Sequence, residues 1–285
     1  MADVILDTVI DALKLLPFLF VTYLIMEYVE HKAGSSFEKA LHKGGAVGPL
    51  VGGLLGIVPQ CGFSAAASNL YAGRIISLGT LFAVYLSTSD EMLPILISEK
   101  ADASLIVRIL VIKAVTGIII GFLTDICLRL SGRLSKEWDI ESMCEREHCS
   151  CEEEEGVLKP ALVHTLQVFI FVIAITFILN LIINFAGLET MRSSILGRPF
   201  AGELIAALIG LIPNCGASVA LTQLYIEEVI SFGAMIAGLL TGAGVGLLVL
   251  FRVNNHLKEN LAIAGLMYVF GAVCGILIEL VGLTV

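Results

Sequence analysis

The chain has 285 residues, of which 57% are apolar and only 15% charged, against roughly 45–50% and about 25% in ordinary globular domains. That balance excludes a soluble fold. The net charge of −9 excludes a nucleic-acid partner as well, because no basic patch exists to meet a phosphate backbone.

The opening residues MADVILDTVIDALK hold acids where a secretory signal needs bases, so the N-terminus is expected to be retained. Apolar runs long enough to cross a bilayer core, which takes about 20 helical residues, lie at 5–29, 75–98, 103–128, 161–186, 229–252 and 261–283. Between them, 47–58 with 63–73 and 201–212 with 217–226 are arms of ten to twelve residues, which reach about 15–18 Å as helix. Such arms cross only half the membrane. Each pair is joined by Pro-X-Cys-Gly, at Pro59 to Gly62 and Pro213 to Gly216, and non-helical backbone at depth is tolerated only inside protein or beside a wet cavity. Two re-entrant hairpins follow. Residues 131–160 hold nine acids and four bases, which makes them a polar loop carrying −5 of the net charge.

Sliding the chain by 154 positions reveals a repeat: Gly48–Leu86 against Gly202–Leu240 gives sixteen identities in thirty-nine ungapped positions, and Asp125 then falls on Glu279. Three crossings and one hairpin per half make each half odd, so the second half enters the membrane upside down. The expected fold is an all-α polytopic membrane protein with an inverted-topology internal repeat. Its ten helical segments fall into a first repeat at 1–130, a cytoplasmic loop at 131–160 and a second repeat at 161–285. Starting outside places eleven Lys and Arg in the cytoplasm and three outside. The positive-inside bias thus favours both termini outside a cytoplasmic, inner membrane.

Broken helices converging at mid-membrane are the layout of a secondary transporter. Cys61 and Cys215 sit at the hairpin tips beside the amides Gln60 and Asn214, near free N–H groups and helix N-termini that favour thiolate. Gly62, Ser64, Gly216 and Ser218 complete the tips. A third break reads Ser87-Thr88-Ser89-Asp90-Glu91, and carboxylates at that depth face a cavity or a partner. Its repeat partner begins at Thr241 and is glycine-rich, without acid. Lys113 is the natural counter-charge for Asp90 or Glu91, either as a structural ion pair or in proton coupling. Sulfur at Cys61 and Cys215 with oxygen at Asp90 and Glu91 forms a mixed metal-ligand set that names no single metal. The loop adds Cys144, His148, Cys149 and Cys151, a cluster able to gather thiophilic metal but lacking the second Cys pair of a structural zinc site. Asp125 and Glu279 are expected at the membrane interface, along with Asp7, Asp11, Lys14, Arg108 and His164. Asn180 and Asn184 suit helix–helix hydrogen bonds, and Cys127 is expected in the core as an inert thiol.

The strings GIVPQCGFSAAASNLYAG at 56–73, LSTSDEMLPIL at 86–96 and GLIPNCGASVALTQLY at 210–225 resemble the ten-helix heavy-metal exporters. Members of that family are labelled arsenic efflux-like proteins or manganese transporters, and it is distantly similar to the organoarsenical permeases. The resemblance covers nearly the whole chain and implies export of a metal or metalloid. The bilayer and a small inorganic ion or metalloid are then the partners, with a homodimer as a candidate assembly. No phosphate-binding loop is present, and no cofactor or enzymatic activity is expected. Two other readings stay open: transport of an organic or sulfur-containing anion, for which helix N-termini at depth are suited, and a membrane thiol–disulfide oxidoreductase.

Overall fold

The computed structural model describes residues 47–58, 61–89, 92–131 and 200–282, with isolated helical positions in 16–24 and 158–177. Among the described residues the chain is helical and has no strand. The first group of helices is α1 (Gly48–Gly56), α2 (Cys61–Ala72), α3 (Leu78–Ser87), α4 (Met92–Ser98) and α5 (Ala103–Leu130). The second is α6 (Ala201–Gly210), α7 (Cys215–Ile226), α8 (Phe232–Thr241), α9 (Gly246–Val253) and α10 (Leu257–Val281). Helices α2 to α5 each begin 154 positions before α7 to α10.

Local chemistry sets these boundaries. Ser77 and Ser231, equivalent in the repeat, each accept a hydrogen bond from the backbone N–H three residues on, at 3.1 and 3.2 Å, and so start α3 and α8. Pro94 cannot donate a backbone hydrogen bond, and its ring would strike the carbonyl of a continuing helix four residues back. The segment therefore restarts at Met92 with proline in its first turn. In the second group the break is made by glycines, and Gly244 takes a φ of +53°, which glycine adopts without steric cost. Two of the expected spans, 75–98 and 229–252, are thus each two helices about a break. The count of ten segments merges them.

The exits of α2 and α7 are built alike. Arg74 and Glu228, again 154 apart, adopt left-handed φ of +58° and +57°. The Ile75 and Val229 N–H groups reach back to the carbonyls of Leu70 and Leu224 at 2.8 and 2.9 Å, closing the orphan carbonyls of each helix end.

Helices α3 and α8 form the centre. Nearly every residue of each is buried. Lipid is as apolar as leucine, so close packing rather than water exclusion must hold such helices. Small residues permit it: Gly79 of α3 meets Gly121 of α5, and Gly233 of α8 meets Gly275 of α10, at backbone contact distance. Phe82 and Phe270 join the two groups edge to face, 5.6 Å between centroids, a contact worth about 1 kcal/mol. On their outer faces α5 presents Val107, Val111, Val115, Ile119 and Leu123, and α10 presents Leu261, Val269, Val273 and Leu277. A continuous apolar stripe of that length belongs in lipid. Among the described residues, Ala103–Leu130, Phe232–Val253 and Leu257–Val281 are long and apolar enough to cross a bilayer.

Two side chains lie elsewhere than expected. Cys127 is exposed beside the lipid-facing stripe of α5, because its register places it next to Leu123 and Ile126 rather than on the buried face of Gly117, Gly121 and Asp125. Asp125 points inward, 5% exposed, instead of toward the interface. It accepts hydrogen bonds from the Gly79 N–H at 2.9 Å and the Ser77 hydroxyl at 2.7 Å, so it caps α3. Glu279 does the same for α8 through the Gly233 N–H at 3.2 Å.

Candidate functional site

The short arms end against the breaks. Helix α1 runs beside α3 in the same direction, Gly48 against Thr80 and Gly56 against Ser87. A Cβ on Gly56 would lie 2.0 Å from Ser87 Oγ, and one on Gly210 would lie 2.0 Å from the Gly238 carbonyl and 2.2 Å from Thr241 Oγ1. Each arm is therefore seated on the last turn of its central helix, in the same way in both groups. Ser89 and Thr241 make the joints to the arms, while Ser87 turns its proton back onto its own helix. Ser87 donates to the carbonyl of Ala83 at 2.6 Å, Ser89 to Ile57 at 2.6 Å and Thr241 to Ala207 at 2.8 Å. With their protons given to backbone, what these groups can still offer a substrate is oxygen lone pairs.

At the tips, Cys61 is the first residue of α2 and Cys215 the first of α7, the helix end where free N–H groups and the dipole favour an anionic sulfur. Asn214 is buried and caps α7 by accepting from the Gly216 N–H at 2.9 Å. Gly62 and Ser64 are buried. Ser218 is half-buried, and its carbonyl accepts from Thr222 at 2.7 Å. Lys113, 1% exposed, reaches from α5 to the Leu239 carbonyl near the end of α8. One first-repeat cation thereby stands beside the second break.

Gln60, Asp90, Glu91, Cys144, His148, Cys149 and Cys151 lie outside the described residues, as do the side chains of Cys61 and Cys215. The same holds for Asp7, Asp11, Lys14, His164, Asn180 and Asn184. Among the described residues no three His, Cys, Asp or Glu side chains converge as metal ligands.

Two polar clusters were not singled out in the sequence. In the first, Ser68 Oγ lies 2.6 Å from the Tyr85 hydroxyl and 2.7 Å from the Gly246 carbonyl, which also lies 3.1 Å from the Tyr85 hydroxyl. This cluster fastens α2 and α3 to the start of α9. The signal available was asymmetry: Tyr85 is a polar residue where the repeat has Leu239. In the second, Arg74 forms a two-pronged ion pair with Glu259 at 2.8 and 2.9 Å. Tyr71 also donates to Glu259, and the Arg74 guanidinium lies 5.2 Å from the Tyr71 ring centroid. The hydrogen bond to Glu259 raises the Arg74 pKa above its ordinary value. Nothing in a linear pattern links positions 74 and 259.

No curated protein and no solved structure matches the chain. Its sequence does match, over residues 1–187 and again over 152–284, the family described as "Putative, 10TM heavy-metal exporter". With matches that together run from residue 1 to 284 and helices that carry their apolar faces outward, this multi-pass membrane protein belongs to the ten-transmembrane heavy-metal exporter family.

Proposed function

We propose that the chain is a secondary transporter that exports a heavy metal, Mn²⁺ or an arsenical from the cytoplasm, with protons as counter-ion. In this reading the two halves are inverted repeats and the arm pairs α1–α2 and α6–α7 are re-entrant hairpins. Cys61 and Cys215 bind at the tips, Asp90 and Glu91 bind at the first break, and Lys113 balances their charge. Gly62, Ser64, Ser87, Ser89, Gly216, Ser218 and Thr241 line the site with Gln60 and Asn214. The protein lies in the inner membrane with both termini outside and its loop, with Cys144, His148, Cys149 and Cys151, in the cytoplasm.

One observation carries this reading: each half sets the end of a short arm on the last turn of a central helix, next to a break in that helix. Backbone without helical hydrogen bonds at that depth needs a wet or ligand-bearing surrounding, and two such places recur at one offset. Carboxylates there are costly without a cation, a counter-charge or a proton. Asp90→Asn with Glu91→Gln keeps shape and removes charge, so efflux from loaded proteoliposomes is expected to fall to background while the protein remains monodisperse. Mn²⁺, Zn²⁺, Cd²⁺, arsenite and methylarsenite are the substrates to compare, with Cys61→Ala and Cys215→Ala expected to affect the thiophilic ones most. Unchanged efflux of every substrate by a well-folded double carboxylate variant would refute the assignment.

Buried Lys113 beside the end of α8 supports the second reading, transport of an organic or sulfur-containing anion. There Lys113→Met would abolish anion uptake and leave no metal efflux to lose.

A further inference from the structure

Besides the contacts of the central helices, the two halves meet along two seams, one where α2 lies against α9 and one where α7 lies against α4. The repeat makes these seams equivalent, yet their chemistry differs. At the inner end of the first, a Cβ on Gly246 would fall 2.7 Å from the Ser64 Cβ. The Gly246 carbonyl is held there by Ser68 and Tyr85. At the outer end, just past α2, Arg74 grips Glu259 in the first turn of α10 with both nitrogens, and Tyr71 of α2 adds a third bond. In the second seam the equivalent positions are Met92 for Gly246, Thr222 for Ser68, Leu239 for Tyr85, Glu228 for Arg74 and Leu105 for Glu259. Met92 brings a side chain where Gly246 has none, Leu239 has no hydroxyl, and Leu105 has no charge to pair with Glu228. The same lock cannot be built there.

Resting on the transporter reading above, we propose that the α2–α9 seam is a gate. It is latched by Tyr71, Arg74 and Glu259 at the rim and by Ser68, Tyr85 and Gly246 at depth, and it closes the Arg74 face of the protein in the resting state. Arg74 belongs to the charges that the Lys/Arg bias assigns to the cytoplasm, so the closed face is the one from which an exporter must load. Loading then requires parting a bidentate, partly buried ion pair whose side chains are 15% and 29% exposed. Such a pair is a two-position element: made, it excludes water from the seam; broken, both groups can be hydrated.

The test reads the seam directly and needs no substrate. A single cysteine at Ser64→Cys, with the native cysteines replaced by serine, is labelled by a membrane-impermeant maleimide in vesicles of each orientation. Labelling from the Arg74 face is expected to be slow in the otherwise unaltered protein and to rise about tenfold in Glu259→Gln, the factor that loss of a charge-assisted hydrogen bond produces. It should return toward the slow rate when the charges are exchanged in Arg74→Glu with Glu259→Arg. If the single-cysteine protein does not fold, hydrogen exchange of the amides of residues 64–72 in the full native chain reads the same opening, with the same order of variants. Equal labelling, or equal exchange, in Glu259→Gln and wild type would overturn the gate. If efflux persists with that result, the gate alone is lost; if the seam responds but no substrate moves, the transport reading is lost and the gate stands.

Discussion

Asp125 shows what one side chain does when a helix must start packed among its neighbours. The first N–H groups of α3 have no partner within their own helix, and lipid offers none. Asp125 supplies two oxygens, one to the Gly79 N–H and one to the Ser77 hydroxyl, while Ser77 in turn accepts from the Thr80 N–H. Glu279 makes one longer bond to Gly233. Asp125→Ala is therefore expected to lower thermal stability in detergent by about 1–3 kcal/mol and Glu279→Ala by less, with substrate specificity unaltered in both. Paired melting curves check the order. A larger loss in Glu279→Ala would show that the caps are not equivalent in kind. Both acids were visible in the sequence as a repeat-matched pair. Their inward direction was not, because it depends on where a serine 48 positions earlier in the chain comes to lie.

At the scale of the element, the breaks in α3–α4 and α8–α9 are opposite solutions to one requirement. The first uses a proline after a run of hydroxyl residues, Ser87 and Thr88 turning their protons onto carbonyls of their own helix; the second uses glycines. Gly244 adopts a backbone that L-residues disfavour by about 1–2 kcal/mol, so Gly244→Ala is expected to destabilise the break by that order. Gly242→Ala, where the nearest neighbour to an added Cβ is 3.5 Å away and φ is negative, should cost less. Denaturant unfolding of the two variants separates them, and equal losses would show that the strain at Gly244 is not what the glycine relieves. The break positions were legible because proline and glycine act locally. The arms seated on them were legible only as lengths too short to cross.

For the whole molecule, the acidic stretch 131–160 has composition but no apolar periodicity, and it contributes nothing that could pack in a bilayer. Deleting residues 140–155 is expected to leave a monodisperse protein with efflux reduced by at most a few fold, measured by size-exclusion chromatography and by transport. Collapse of the membrane part after that deletion would show that the loop holds the two groups of helices together.

Composition alone settled that the chain is a membrane protein, since lipid imposes a length and an apolarity that can be counted along the sequence. The same is true of the 154-residue offset, because equal positions need equal small residues wherever helices touch: Gly79 and Gly233 recur for one reason. The tertiary structure decided what the offset conceals. Tyr85 with Ser68 and Gly246, Arg74 with Glu259 and Lys113 with Leu239 are contacts between residues 126 to 185 positions apart, and each joins one half to the other. A repeat constrains each half against itself, whereas the seam between the halves is set by packing across the molecule. At that seam a glycine facing a serine on one side and a methionine on the other is enough to make the two sides unequal.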